Sequence, residues 1–319
     1  MADGGEGAVN ADAFLADIVA EPDALRRVAE HHGGARLERL LDRPRVLFIG
    51  MGSSRFAAMT ATADLRGRGV DAHAELASTG APQPPSQGTA CVLISASGSS
   101  KETVAALRRH RRRSTIIVLT NAPLGELAAL ADMSIDVLAG PEKGGVACRS
   151  FACTQAVLAL MRGVSADRIR RAADAVQSVI EERRVWLDDL TALAEDARGV
   201  WVSAPAERIG TAEQSALMLR EGPRIVADAC ETGDWLHVDV YLTKRPSYML
   251  LLHAGSPYDD EVAGWRAERE FELVTIGGEV RGATGVIAFP GADDPVVAAI
   301  AGTVVSELLA AELWRRHPV

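Results

Sequence analysis

Aromatic residues are scarce, only 4% of a 319-residue chain in which 48% of residues are hydrophobic. Its cores must therefore be built from Leu, Val, Ile and Ala. Cysteine is scarcer: Cys91, Cys148, Cys153 and Cys230 form no CxxC pair, and no His stands at metal-ligand spacing from them. That argues against a disulfide framework or a zinc site and fits a reducing cytosol. Positive charge is not in excess, since the net charge is −9, so a nucleic-acid partner is not expected. The run RRHRRR at 108–113 follows an apolar helical pattern, where cations would complement a helix C-terminus. No apolar stretch approaches the roughly 20 residues that a membrane helix needs. The opening MADGGEGAVNADAF lacks the basic and apolar parts of a signal peptide. The expectation is a cytoplasmic protein without a membrane partner, long enough for two domains.

What is present is a regular alternation. Residues 1–10 are acidic and Gly-rich and are expected to be disordered. Apolar spacing from Ala11 to Leu41 suggests one or two helices. RVLFIG, DAHAEL, CVLISA, STIIVLT and SIDVLAG come next as strands separated by helical stretches. Continuous apolar strands alternating with helices call for a parallel sheet covered on both faces. A charged amphipathic stretch, 165–195, reads as a helical connector. Then alternation resumes with GVWVSA, RIVADAC, PSYMLLL, FELVTIG and TGVIAFP, with a helix expected around WLHVDVYL and a last one over 295–316. The predicted fold class is α/β, two tandem domains over 11–164 and 196–319, each a mainly parallel sheet between helices in a three-layer, flavodoxin-like or Rossmann-like sandwich.

Such sheets bind ligands beyond the carboxyl ends of their strands. Two turns there are rich in hydroxyls: GMGSS at 50–54 and SASGSS at 95–100. A helix N-terminus offers unpaired N–H groups and partial positive charge, which makes an anion site without Lys or Arg. Gly98 allows a tight turn, and Ser95, Ser97, Ser99 and Ser100 each bring a hydroxyl donor. One serine suffices for an N-cap; four on one turn, with a second such turn beside them, point to a phosphate monoester. No GK[ST] triplet is present after them, and GMGSSR lacks the third glycine of a dinucleotide fingerprint.

Together with GPEKGGVACRSF at 140–151, these turns resemble the sugar isomerase (SIS) family of phosphosugar-binding domains over residues 40–319. The layout is similar to the isomerase half of glucosamine-6-phosphate synthase, the amino-sugar phosphate deaminases and the fructosamine-phosphate deglycases. The resemblance implies that Ser54, Ser95, Ser97 and Ser100 hold the phosphate, that Gly52 and Ser53 shape the first turn, and that Ala147 and Arg149 line the sugar. It also implies a homodimer with shared sites, no cofactor and no metal.

The second half would supply acid and base. LMLRE ends at Glu221 before a Gly-Pro stop, and His237 stands in TGDWLHVD, sixteen positions on, at the places of the family's Glu and His. A carboxylate at a helix C-terminus opposes the helix dipole, so Glu221 needs another reason to stand there. Proton transfer between C1 and C2 of an open-chain sugar needs such a carboxylate, and ring opening suits an imidazole near neutral pH. Where the synthases carry a lysine three residues before the Glu, this chain has Met218. The expected activity is acid/base chemistry on a hexosamine 6-phosphate, ending in isomerisation, deamination or β-elimination of water. A fructosamine-6-phosphate deglycase and a non-catalytic phosphosugar-sensing regulator are the alternatives.

Overall fold

A computed structural model describes residues 10–318; of the stretch expected to be disordered, 1–9 lie outside the described residues. Helices α1 (Ala11–Val19) and α2 (Glu21–His32) come first. The first sheet is built from β1 (Arg45–Gly50), β2 (Asp71–Leu76), β3 (Thr89–Ile94), β4 (Thr115–Thr120) and β5 (Met133–Asp136). Its helices are α3 (Ser53–Gly67), α4 (Lys101–His110), α5 (Glu126–Leu130) and α6 (Arg149–Met161). The connector is one 31-residue helix, α7 (Ala166–Asp196). The second sheet holds β6 (Gly199–Ala204), β7 (Ala227–Glu231), β8 (Tyr248–His253), β9 (Glu272–Ile276) and β10 (Gly285–Ile287), with helices α8 (Ile209–Glu221), α9 (Thr232–Trp235), α10 (Asp259–Glu268) and α11 (Pro295–Arg316).

Both sheets are five-stranded and parallel throughout, in the orders β2-β1-β3-β4-β5 and β10-β9-β8-β6-β7. Read from the other edge, the second order is the first repeated. Each sheet therefore reverses direction once, between β1 and β3 and between β6 and β8. Those reversals are where the carboxyl ends of the strands open a crevice.

Strand alternation explains how the halves join. Val46, Phe48, Val92, Ile94, Ile117 and Leu119 face one common core with Val200, Val202 and Ala204 of the second sheet. Their neighbours Leu47, Ile49, Cys91, Leu93, Ile116 and Val118 face a separate cluster under α4 and α5. Helices α3, α6 and α8 lie between the sheets: α3 packs on β1, α6 and α8, and α8 on β6 and α11. Gly210 permits this approach, because a Cβ there would lie 2.0 Å from the Phe56 carbonyl oxygen.

Two expectations change. Helix α11 has 22 residues and a mean hydropathy of 1.8, so it is long and apolar enough to cross a membrane. It is instead almost wholly buried against α1, α7 and α8, as a core helix. The WLHVDVYL segment is not one helix. A single turn, α9, ends at Trp235, and a 3-10 turn covers Asp239–Lys244. Trp235 is fully buried, with Nε1 donating to Tyr248 Oη at 2.9 Å, while Val240 and Thr243 turn inward in their own right. The basic run does end α4, with Arg108 paired to Glu126 at 3.0 Å.

Candidate active site

The carboxyl edge of the first sheet opens into a cavity of about 410 Å3. Its floor and one wall come from the two hydroxyl-rich turns. After β1, Gly52 takes φ 49° and α3 starts without a side-chain cap. Gly50 is needed just before it, since a Cβ there would sit 2.9 Å from the Ser54 Cβ. Ser53 and Ser54 line the cavity, and neither hydroxyl makes a hydrogen bond among the described residues. After β3, Ser95 is buried with its backbone N–H on the Leu119 carbonyl at 3.0 Å. Gly98 then turns the chain at φ 65°, packed so closely on β4 that a Cβ would lie 3.0 Å from Thr120 Oγ1. Ser95, Ser97 and Ser100 all face the cavity.

Ser100 is also the N-cap of α4. Its Oγ accepts from the Thr103 N–H at 3.3 Å and donates to Glu102 at 3.0 Å. The Glu102 carboxyl is held below its usual range by its own backbone N–H and by that serine. Ser100 thus does the ordinary capping work, which leaves the Ser53, Ser54 and Ser95 hydroxyls uncommitted among the described residues, and Ser97 free to donate while its Oγ accepts from Ser99. Ser99 is exposed outside the cavity, its Oγ 3.4 Å from Ser97 Oγ.

The opposite wall belongs to the segment 140–154 and to α8. Ala147 lines the cavity with Ser150, Phe151 and Thr154. Glu142 accepts from the backbone N–H groups of Cys148 and Ser150, both at 3.0 Å, and so caps α6. Gln214 of α8, fully buried, donates to the Ala147 carbonyl at 2.8 Å and ties the segment to the second half. One turn beyond Leu217, Glu221 ends α8 and turns its carboxyl to the cavity. Burial raises the Glu221 pKa above the usual carboxylate value, against the smaller pull of Arg224 and Arg220. Its carboxylate makes no hydrogen bond or ion pair among the described residues.

The model of the SIS domain matches residues 39–162. These contain both serine turns, the Ala147 segment and most of the wall. That stretch of the chain matches the SIS domain. A curated relative, the glutamine--fructose-6-phosphate aminotransferase [isomerizing] of Zymomonas mobilis, is 28% identical over 233 residues, covering 67% of this chain. The chain spans about 38% of that relative's length. Among solved structures, the C-terminal domain of glucosamine-fructose-6-phosphate aminotransferase from Francisella tularensis has a TM-score of 0.79 at 18% identity, with 98% of each chain covered. The tagatose-6-phosphate ketose/aldose isomerase of Escherichia coli has a TM-score of 0.78 at 17% identity, covering 97% of this chain and 95% of that one. The likeness runs through both sheets, so the second is SIS-like in fold.

Within this SIS frame the sequence-predicted residues separate. Gly52, Ser53, Ser54, Ser95, Ser97, Ser100, Ala147 and Glu221 come together around one cavity, and Gly98 shapes the turn beneath it. Arg149 does not line it. As the first residue of α6 it points back beneath its own loop, where its guanidinium meets the Pro141 carbonyl and Asp17 at 3.3 Å. His237 is exposed on the turn after α9 and is not part of the cavity wall of its own chain. Sequence alone does not single out Gln214, Ser150 and Thr154; their only signal is a polar side chain at a helical position otherwise surrounded by core residues.

Proposed function

We propose that this chain is a phosphosugar enzyme acting on a hexosamine 6-phosphate, with Glu221 moving the C2 proton. The observation that carries the reading is the joining of two elements distant in sequence: the hydroxyl-rich turns of the SIS domain and a carboxyl delivered by α8 face the same cavity. The phosphate would sit at the α3 N-terminus, held by Ser54, Ser95 and Ser97 and by helix N–H groups rather than by cations. The open-chain sugar would then extend toward Ala147 and Glu221. A carboxylate whose pKa is raised by burial is a stronger base near neutral pH than an exposed one. After C2 deprotonation, reprotonation at C1 gives the isomer, addition of water to the C2 imine of that isomer with loss of ammonia gives the ketose, and expulsion of a C3 substituent gives elimination. The relatives' names, an isomerising aminotransferase and a ketose/aldose isomerase, favour the first of these as the shared step.

Ring opening needs a proton shuttle, and the cavity wall of one chain contains neither His nor Lys. His237 of a second copy would supply it in a homodimer. Turnover separates the enzyme from a sensing regulator. Incubation with hexose and hexosamine 6-phosphates, with products read by mass spectrometry, should give a changed retention, a loss of ammonia or a loss of water. Glu221→Gln should lower turnover by about 10²–10⁴-fold and leave affinity nearly intact. Exchange of the C2 hydrogen with deuterated water should vanish in the same variant. Wild-type turnover in Glu221→Gln sinks the assignment.

A further inference from the structure

A second cavity, of about 390 Å3, opens at the other direction reversal, beyond the carboxyl ends of β6 and β8. It is the topological counterpart of the first. Where the first uses the turn after β1, the second uses Pro205–Arg208 after β6; where the first uses the turn after β3, the second uses Ala254 and Gly255 after β8. The first is closed by the start of α6 and the end of α8, the second by the start of α11 and the end of α3. The chemistry of the walls differs. Hydroxyls give way to guanidinium groups, from Arg68, Arg162, Arg168 and Arg208.

Three of these charges are already matched. Arg68 and Arg162 share Asp64 at 2.7 and 3.2 Å, and Arg168 grips Asp294 at 2.6 Å. Arg208 is the exception. It is 8% exposed, donates to the Ala254 carbonyl, and has no carboxylate within 4.0 Å among the described residues. Gly255, at φ 114°, makes room for it, since a Cβ there would stand 2.9 Å from Nη2. Thr60, whose buried hydroxyl has no hydrogen-bond partner, belongs to the same wall. Glu207 and Asp293 are exposed at the rim. Asp259 and Glu207 act on Arg208 only at longer range, and an oxyanion entering this cavity would give this buried cation a direct counter-charge.

We infer that this cavity is a second site, for a small ligand carrying a phosphate group, free or esterified to a sugar, with Arg208 as its anchor. Asp64 stands on α3 about where Glu221 stands on α8, but two arginines pair with it, and the cavity's other carboxylates, Glu207 and Asp293, are exposed at its rim. The cavities are linked end to end. Ser54 and Asp64 lie on α3, Thr154 and Arg162 on or just after α6, Glu221 and Arg208 on or just before α8. At 1.5 Å per residue, separations of about eight to thirteen residues place the two sites about 12–20 Å apart.

The test is independent of the first site's assignment. Ser53→Ala, Ser54→Ala, Ser95→Ala and Ser97→Ala, introduced together into the full chain, remove the first cavity's uncommitted hydroxyls. Titration calorimetry of that protein with inorganic phosphate and with glucose 6-phosphate should still show one site per chain. Equal affinity assigns the site to free phosphate, and tighter binding of the ester assigns it to a sugar phosphate; either supports the inference. Adding Arg208→Gln should weaken binding by about tenfold or more. Adding Glu207→Gln with Asp293→Asn, both exposed, should tighten it about two- to threefold. No bound phosphate in the serine variant, or affinity unmoved by both the Arg208 and the rim changes, overturns the inference. If Arg208→Gln fails to fold by circular dichroism, the rim variant decides alone. If the serines turn out not to hold phosphate, the wild type and the serine variant bind equally, and Arg208 dependence still reports the second cavity.

Discussion

Glu21 opens α2 and Glu307 sits in the middle of α11, and both are fully buried. None of their four carboxylate oxygens has a hydrogen-bond partner among the described residues. Burial is the main reason the pair resists ionising; Glu307 adds to this for Glu21 and Glu142 adds negative charge for both, while Glu21 acts the other way on Glu307. Glu21 is pushed well above its ordinary value, and Glu307 from 4.5 to about 7. A folded-state pKa above the unfolded one gives stability that is complete below about 4.5 and is lost as pH rises through the folded value. The pair should therefore weaken the protein between about pH 5 and pH 8. Moving one carboxyl from 4.5 to about 7 corresponds to about 3 kcal/mol at the alkaline end. Glu307→Gln keeps the shape and removes the titration. In urea denaturation at pH 5, 6.5 and 8, the wild type should lose about 2.5 kcal/mol more than the variant across that range. Any constant cost of placing an amide in the core cancels from this difference. Parallel stability curves for the two proteins would refute the reasoning.

Ser54→Ala with Ser97→Ala should weaken sugar-phosphate binding by about 2–4 kcal/mol, roughly 1–2 per hydrogen bond to a charged group; calorimetry showing unchanged affinity removes these serines from the site. Ser100→Ala is a poorer probe, because it also removes the α4 cap and should cost about 1 kcal/mol of stability in a thermal melt. Mixing inactive Glu221→Ala and His237→Ala chains should restore part of the activity if sites are shared between copies, whereas a monomer by light scattering ends that idea.

The sheets were legible because parallel strands buried on both faces must be apolar at every position, and RVLFIG or CVLISA leaves no polar face to present to water. The serine turns were legible for the opposite reason: hydroxyls concentrated at a strand end have no packing role. Direction of a side chain was harder. Arg149 comes after a loop expected to line the sugar, yet α6 begins at that residue and its guanidinium finds the buried Asp17 beneath the loop. Sequence spacing carries no information about Asp17, 132 positions away. The same limit hid Gln214, whose value lies in one bond to Ala147 across the two halves. The apolar run of helix α11 was under-read, since no stretch of membrane length was expected. Its apolar run has membrane length, but α7, α8 and α1 leave it no exposed stripe.

A repeated topology does not force a repeated chemistry. Both crevices lie at a direction reversal, and each receives an acid from the helix of the other half, Glu221 from α8 and Asp64 from α3. The cations around the two acids differ. After Glu221 the chain turns away at Gly222 and Pro223, and the nearest cations, Arg220 and Arg224, only partly offset the burial that raises its pKa. Asp64 has Arg68 one turn on, at 2.7 Å, and Arg162 at 3.2 Å. The Asp64 carboxylate is engaged by two guanidinium groups, whereas that of Glu221 makes no ion pair among the described residues. Proton transfer is thus expected in the first crevice alone. Replacing Arg68 and Arg162 together would free Asp64, but Arg162 also donates to the Leu158 carbonyl at 3.2 Å and is buried, so the second crevice would lose its wall before it gained a base.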